Sequence, residues 1–354
     1  ISLLGFLVFT IALMFSIGRI LSKKGYFVYR PIKFNLNQII RWTKIYAVAN
    51  ALEIIYSRQI PFLKIVRGAD IGDSYYGIPI IHPLVITMGI FLSLYIFHMI
   101  ISTNKQNRLK LYPYFLFSFC ALIIIFGRGL MLMTIFGCAI IFCIGHKIRL
   151  KTSLILLVLG LSLLYFFGWA GDIRIGEAGV KITTVGHSTD KFAKSGVPDE
   201  YFWSYLYISS PLSNLEYNIE TDKNHTVNMQ TINKMIIAEI VPEFIGNKIE
   251  SNKRAEPNLI NPALNVSSVY ARAYTMIGWT GIFIMFTYIV LYIFVVFSIV
   301  HPSSPYFIVT VAVINILMIG NVFDNMMNYV LSYTVLFTIY LTLKTKYKFT
   351  NGKH

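Results

Sequence analysis

Among the arginines in the polar stretches that separate the apolar segments of this chain, Arg67, Arg128, Arg174 and Arg272 could bind an anionic substrate. A planar guanidinium pairs bidentately with phosphate oxygens, so several such side chains brought together would suit a diphosphate. Arg128 has glycines on both sides, which would let an anion approach closely. The alternative is that this guanidinium reaches the lipid headgroups, so both interpretations of Arg128 stay open.

The same polar stretches contain six residues that could exchange a proton with a substrate: Asp70, Asp73, His82, His187, Glu200 and Glu216. Each of them could equally be a solvated surface group. Glu216 has the strongest claim, because residues 207–218 combine a turn, a helix start and a mostly apolar context. His82 is the second candidate for a general base.

Other catalytic signatures are missing from the sequence. It contains no P-loop, HExxH, GxSxG or paired CxxC motif and no dinucleotide fingerprint. No run of acidic residues resembles a cage for a divalent metal, so we predict neither a metal nor a cofactor. The cysteines Cys120, Cys138 and Cys143 fall inside apolar segments and are interpreted as packing residues.

The elements that position these residues must be membrane helices. Hydrophobic residues make up 56% of the chain and charged residues 13%, whereas a soluble domain carries about 25% charged residues. Only helices and closed barrels span lipid, and no segment alternates like a barrel strand, so we expect an all-α polytopic membrane protein. Apolar runs able to cross about 30 Å of hydrocarbon predict about nine transmembrane helices: Leu3–Ile20, Ile39–Ile55, Pro83–Ile101, Pro113–Phe126, Leu130–Ile144, Ser153–Gly168, Ile277–Val300, Tyr306–Ile319 and Met327–Leu343.

The distribution of charge predicts the topology. The formal net charge is +15, but the cations cluster in alternate connections, which the positive-inside rule places in the cytoplasm. Nucleic acid is therefore not the expected partner. The clusters are Arg19, Lys23, Lys24, Arg30, Lys33 and Arg41; Lys105, Arg108 and Lys110; Lys147, Arg149 and Lys151; and Lys344, Lys346, Lys348 and Lys353. The segments 56–82, 127–129, 169–272 and 320–326 then face outward.

This topology divides the chain into three parts. Residues 1–168 hold helices one to six with an outer loop at 56–82, and residues 273–354 hold helices seven to nine with a basic cytoplasmic tail. Between them, residues 169–272 form one large extracytoplasmic loop, which is too long to be a mere connector. Apolar residues at helical spacing predict a short amphipathic helix at 226–240. Because Ile1 is not a natural start and lies outside in this topology, we expect a further, tenth helix upstream.

Three segments give the chain a resemblance to a known family. Phe126-Gly-Arg-Gly-Leu130, Ser209-Ser-Pro-Leu-Ser-Asn-Leu-Glu216 and Ala273-Tyr-Thr-Met-Ile-Gly-Trp-Thr-Gly281 resemble the Wzy oligosaccharide repeat-unit polymerases of O-antigen and capsule synthesis. The layout is also similar, with many helices, a large late periplasmic loop and a basic cytoplasmic side. The motifs are short, whereas the similarity of layout extends over nearly the whole chain.

The resemblance implies a glycosyltransferase of the bacterial inner membrane with its active site on the periplasmic side. Such enzymes transfer a growing glycan from undecaprenyl diphosphate to a hydroxyl of the next lipid-linked repeat unit. The expected partners are these lipid-linked glycans, membrane lipids, a chain-length regulator (polysaccharide copolymerase) and a flippase. On this basis Arg128 and Arg272 are expected to bind the diphosphate with help from Arg67 or Arg174, and Glu216 or His82 to activate the acceptor.

Two other functions fit the same sequence. An O-antigen ligase would use the same donor and deliver the glycan to lipopolysaccharide core. A flippase for lipid-linked oligosaccharides is a transporter, and transporters often carry charged or broken helices at the membrane midplane. The predicted helices here are nearly free of central charge, which favours the enzyme.

Overall fold

The computed structural model describes residues 3–23, 28–66, 76–79, 81–124, 128–146, 149–176, 181–241, 246, 249, 256–261 and 264–351, and no strand occurs among them. The chain is built from helices: α1 Leu3–Lys23, α2 Leu36–Ser57, α3 Pro61–Val66, α4 Ile81–Ser102, α5 Lys105–Ile124, α6 Arg128–Gly145, α7 Leu150–Gly176, α8 Ile182–Val185, α9 Asp190–Ala193, α10 Glu200–Thr221, α11 Met229–Glu239, α12 Ala271–Ile277, α13 Trp279–Ile299, α14 Phe307–Gly320, a 3₁₀ turn Met326–Asn328, and α15 Val330–Asn351. The predicted all-α class is confirmed for these residues.

Four of the described helices are long and apolar enough to cross a membrane: Leu3–Lys23, Ile81–Ser102, Leu150–Asp172 and Trp279–Ile299. Shorter apolar helices occupy Gly129–Gly145, Phe307–Gly320 and Val330–Thr345. Helices of this length and composition indicate a membrane protein. The helices predicted at 39–55 and 113–126 form as α2 and α5, which carry several charged residues at their ends.

The chain divides into two compact units. Unit 1 consists of residues 1–147, 290–318 and 329–354, and its centre is α4. Helix α4 is apolar around its whole circumference, and it packs against α2, α5, α6 and α15. Aromatic residues reinforce these contacts, since Phe91 stacks on Tyr95 with ring centroids 5.5 Å apart.

Unit 2 consists of residues 148–289 and 319–328, and α10 is its organising element. Glycines of α7 allow α10 to approach closely, because a Cβ at Gly171 would lie 2.6 Å from the Trp203 ring. The indole of Trp203 donates a hydrogen bond of 2.7 Å to Asp172 Oδ1. Helix α7 thus continues beyond the predicted end at Gly168, and this extension supports the first turn of α10.

Two buried asparagines of α10 hold the segment formed by residues 256–261 and 264–268, which we call the strap. The Asn218 amide pairs with both backbone groups of Asn258, at 2.7 Å and 2.9 Å. Asn214 donates to the carbonyls of Leu264 and Val266 and accepts from Ile260 N–H. These side chains supply hydrogen bonds to the backbone N–H and C=O groups of the strap, which in a sheet would come from a neighbouring strand.

The predicted seventh helix, Ile277–Val300, forms as α13, and a glycine separates it from the short helix α12. Helix α12 ends at Ile277, and α13 begins at Trp279 after Gly278, whose φ of +62° is unfavourable for other residues. His225 packs against this corner, since a Cβ at Gly278 would lie 2.7 Å from its ring. The same imidazole contacts Tyr274 edge-on at 4.9 Å, and the Tyr274 hydroxyl donates to the carbonyl of Asp222 at 3.1 Å.

Residues 181–241, which belong to the predicted outer loop, are largely helical. Helix α11 lies inside the segment predicted to be amphipathic and begins with a capping box, in which Asn228 and Thr231 each bind the other's backbone N–H. Helix α10 was not predicted as one element, because residues 207–218 were interpreted as containing a turn, whereas the helix continues through Pro211.

Candidate functional site

Unit 1 contains a histidine–carboxylate pair where α2 ends and α4 begins. His82 Nδ1 lies 3.0 Å from Glu53 Oε2 and 3.1 Å from Oε1. The Glu53 side chain is fully buried, whereas that of His82 is 17% exposed. The imidazole can therefore be reached from outside the protein while the carboxylate cannot.

The pairing defines the chemistry of His82. When Glu53 is ionised its carboxylate can only accept hydrogen bonds, and His82 then donates from Nδ1–H between the two oxygens. The neutral imidazole then presents Nε2 as a lone-pair acceptor. A carboxylate that fixes the tautomer and stabilises the imidazolium is the arrangement that makes histidine an effective general base.

The turn before α4 is shaped to fit this histidine. Gly77 has a φ of +93°, and a Cβ at this position would lie 2.5 Å from His82 Nδ1. The Gly77 N–H donates to Ser57 Oγ at 2.7 Å, which attaches the turn to the end of α2. Tyr76 contacts the imidazole edge-on at 5.5 Å, and burial together with the Glu53 charge raises the pKa of Tyr76 to about 12.

Unit 2 contains a second cluster, where the strap enters α12. Arg272 Nη2 lies 3.8 Å from Asp324 Oδ1, and both side chains are about a quarter exposed. A direct charge-assisted hydrogen bond would measure about 2.7–2.9 Å. The ion pair is therefore loose, and it leaves guanidinium donors of Arg272 able to bind another anion.

Three buried polar atoms in this cluster have no hydrogen-bond partner among the described residues: Arg272 Nε, Asn321 Nδ2 and Ser268 Oγ. A backbone bond of 2.9 Å from Val269 N–H to the Asn321 carbonyl joins the two segments that carry them. Since more than about 90% of buried polar groups in proteins have partners, three unpaired groups in joined segments point to a bound ligand or water. All three can donate, so the cluster suits an anion.

A hydrogen-bond network fixes the orientation of this cluster. Met326 N–H donates to Asn321 Oδ1 at 2.9 Å, so the amide nitrogen Nδ2 of Asn321 is directed away from that contact. Asn325 donates to the backbone carbonyl and Oε2 of Glu239 at 2.8 Å and 2.9 Å. The buried end of α11 thereby positions the turn that carries Asp324.

The remaining predicted residues lie in different surroundings. Glu216 is on the exposed side of α10, opposite Asn214 and Asn218, and shares that side with the exposed Ile208 and Leu212. Arg128 begins α6 and Arg174 lies in the last turn of α7, but their side chains are outside the described part of the structure. Arg67, Asp70 and Asp73 fall outside the described residues, and His187 is exposed.

The sequence reasoning missed several partners in the two clusters: Glu53, Asp324, Asn321 and Ser268. Glu53 did carry a signal, because a carboxylate within an apolar segment is costly unless it is paired. The asparagines among residues 321–328 carried a weaker one, since polar amides cluster there between two apolar helices.

Comparison with known proteins adds no relative to these observations. The chain matches no protein-family model, and neither a curated protein nor a solved structure is significantly similar to it.

Proposed function

We propose that this protein is a multi-pass membrane glycosyltransferase that polymerises oligosaccharide repeat units carried on undecaprenyl diphosphate. In this proposal about nine helices of the chain cross the bacterial inner membrane. The reaction takes place on the periplasmic side and supplies O-antigen or capsular polysaccharide. A chain-length regulator and a flippase would be its functional partners.

The observation that carries the proposal is that three unpaired donors lie in two segments joined by the backbone hydrogen bond from Val269 to Asn321. The donor substrate leaves as a lipid diphosphate, which gains negative charge in the transition state. Arg272, Asn321 and Ser268 offer one charged and two neutral donors in a partly buried position, where such contacts are stronger than in water. Asp324 would hold the guanidinium until a diphosphate replaces it.

The second requirement is a group that accepts the proton of the acceptor hydroxyl. The His82–Glu53 pair supports this role, because Glu53 leaves Nε2 of His82 as the proton-accepting nitrogen. The acceptor oxygen attacks the anomeric carbon, the bond to the diphosphate breaks, and the acceptor proton passes to a general base. The leaving diphosphate keeps the electron pair, so the step needs neither an oxidant nor a reductant.

The proposal assigns no catalytic role to Glu216, because its side chain is exposed. Arg128 remains a proposed primary contact to the diphosphate, and Arg67 or Arg174 a proposed secondary one. An Arg128→Ala variant tests the strongest of these three.

The test is electrophoresis of surface polysaccharide from cells that lack the gene and are complemented with single variants. We expect the wild type and Lys194→Gln, which removes an exposed cation of unit 2, to restore a ladder of chain lengths. Arg272→Gln at equal membrane abundance should leave only single repeat units. A ladder with Arg272→Gln would refute the role of the anion cluster.

The knockout itself distinguishes the alternatives. Single capped repeat units in the knockout indicate a missing polymerase. Loss of even these units would indicate a ligase or a flippase, and both outcomes would overturn the proposed reaction. A full ladder in the knockout would remove the protein from this pathway.

A further inference from the structure

Unit 1 contains a cavity of about 420 Å³ between the first turns of α2 and the last turns of α15. This volume lies within the range of about 300–1,000 Å³ that is usual for small-molecule sites. The lining residues used below are Gln38, Arg41, Trp42, Tyr306, Lys344 and Thr345. The cavity is separate from the His82–Glu53 pair, which lies towards the opposite end of α2.

The residues of the cavity are presented by two helix faces. Gln38, Arg41 and Trp42 have the spacing i, i+3 and i+4 in α2 and therefore share one side of that helix. Lys344 and Thr345 follow Leu341 with the same spacing in α15. Each face thus brings one cation to the cavity, Arg41 from α2 and Lys344 from α15.

Packed aromatic rings stabilise the walls. Trp42 contacts Phe91 and Tyr95 with centroid distances of 5.4 Å and 5.5 Å. Tyr306 lies 5.6 Å from Tyr95, and its hydroxyl is hydrogen-bonded to the side chain of Gln38. Tryptophan and tyrosine beside polar groups are typical of the depth at which lipid headgroups meet the hydrocarbon.

Arg41 and Lys344 have no acidic residue near them in the sequence. All 16 acidic residues lie in or beside the segments predicted to face outward. Glu53 is the acidic residue of α2, and it lies about 18 Å along the helix from Arg41 at a rise of 1.5 Å per residue. The positive-inside rule places Arg41 and Lys344 at the cytoplasmic end, where anionic lipids attract basic residues.

We propose that this cavity binds the phosphate headgroup of an anionic phospholipid in the cytoplasmic leaflet. Arg41 and Lys344 contact the phosphate, Gln38 and Thr345 bind polar groups of the headgroup, and Trp42 supports the glycerol region. The amino-terminal end of α2 adds a favourable dipole, since Asn35 accepts from Gln38 N–H and caps this end beside the cavity. The inference is independent of the proposed polymerase activity.

The test is native mass spectrometry of the purified full chain, titrated with phosphatidylglycerol or with phosphatidylcholine. The wild type should bind phosphatidylglycerol more tightly. Each of Arg41→Gln and Lys344→Gln should weaken that binding by a factor of about five, and the double variant by about thirtyfold. Lys105→Gln is the matched control, because it removes an exposed cation of unit 1 outside the cavity.

Two further variants keep the test decisive if the double variant does not fold. Arg41→Lys should retain most of the binding, whereas Thr345→Asp should abolish the preference by placing a negative charge in the cavity. The proposal would be overturned if either the double variant or Thr345→Asp bound phosphatidylglycerol as tightly as the wild type does. Displacement of the lipid by millimolar inorganic phosphate would also overturn it and identify a free anion as the ligand.

Discussion

Replacing Glu53 by glutamine tests the chemistry of the His82–Glu53 pair without changing its size. In the native protein Glu53 accepts a hydrogen bond from His82 Nδ1–H, and its two carboxylate oxygens lie 3.0 Å and 3.1 Å from Nδ1. A glutamine amide can donate to Nδ1 instead, which moves the imidazole proton to Nε2. The general base would then be blocked while the imidazole stayed in place.

The two expected effects differ in size. Loss of a charge-assisted hydrogen bond lowers the free energy of unfolding by about 1.5–3 kcal/mol. Loss of general-base catalysis lowers a rate by about 10²–10⁴. The catalytic effect should therefore dominate at temperatures where the variant remains folded.

The assay is the rate at which polysaccharide chains lengthen after induction, at equal membrane abundance. Glu53→Gln and His82→Ala should both give mainly single repeat units. Glu216→Gln makes the same chemical change at an exposed carboxylate and should leave the rate unchanged. A wild-type rate for Glu53→Gln together with an inactive His82→Ala would refute the tautomer reasoning, and wild-type rates for both would exclude His82 as the base.

Four further variants test other parts of the structure. Asp324→Asn should lower the apparent KM for the lipid-linked donor severalfold, measured with purified enzyme, because Arg272 loses the carboxylate that competes with diphosphate; an unchanged or higher KM would contradict this. Gly77→Ala should reduce chain lengthening as strongly as His82→Ala, since φ is +93° and the new Cβ would meet the imidazole. Asn218→Ala should lower the Tm in detergent by a few degrees, because it removes two part-buried hydrogen bonds to the backbone of Asn258, each worth about 0.5–1.5 kcal/mol. An unchanged Tm would show that water replaces the amide. The pKa of Tyr76 is raised from 10.0 to about 12, so the stability that its protonated hydroxyl contributes is complete below pH 10 and is lost as the pH rises towards 12. Tyr76→Phe should therefore reduce the fall in Tm between pH 10 and 12, and an unaltered fall would contradict the raised pKa of Tyr76.

The sequence predicted those features that depend on composition along a single helix. The apolar run Pro83–Ile101 predicted a helix, and α4 occupies Ile81–Ser102. The pairing of His82 with Glu53 could not be predicted in this way, because the two residues are 29 positions apart and meet only through the packing of α2 on α4.

The asparagines of α10 show a different limit of the sequence. Asn214 and Pro211 suggested a turn, since both residues are common in turns. In the structure Asn214 lies inside the continuous helix α10, and its side-chain amide binds three backbone groups of the strap. Which backbone an amide will bind is decided by tertiary contacts that local spacing does not reveal.

The attachment of the strap to α10 has a consequence for how this surface can diverge among related proteins. Asn214 and Asn218 bind only main-chain atoms of the strap, and every residue type except proline offers these N–H and C=O groups. Side chains such as Ile260, which is exposed, can therefore be exchanged while the path of the chain is kept. The strap can acquire a new contact specificity by point substitution without any redesign of the scaffold that carries it.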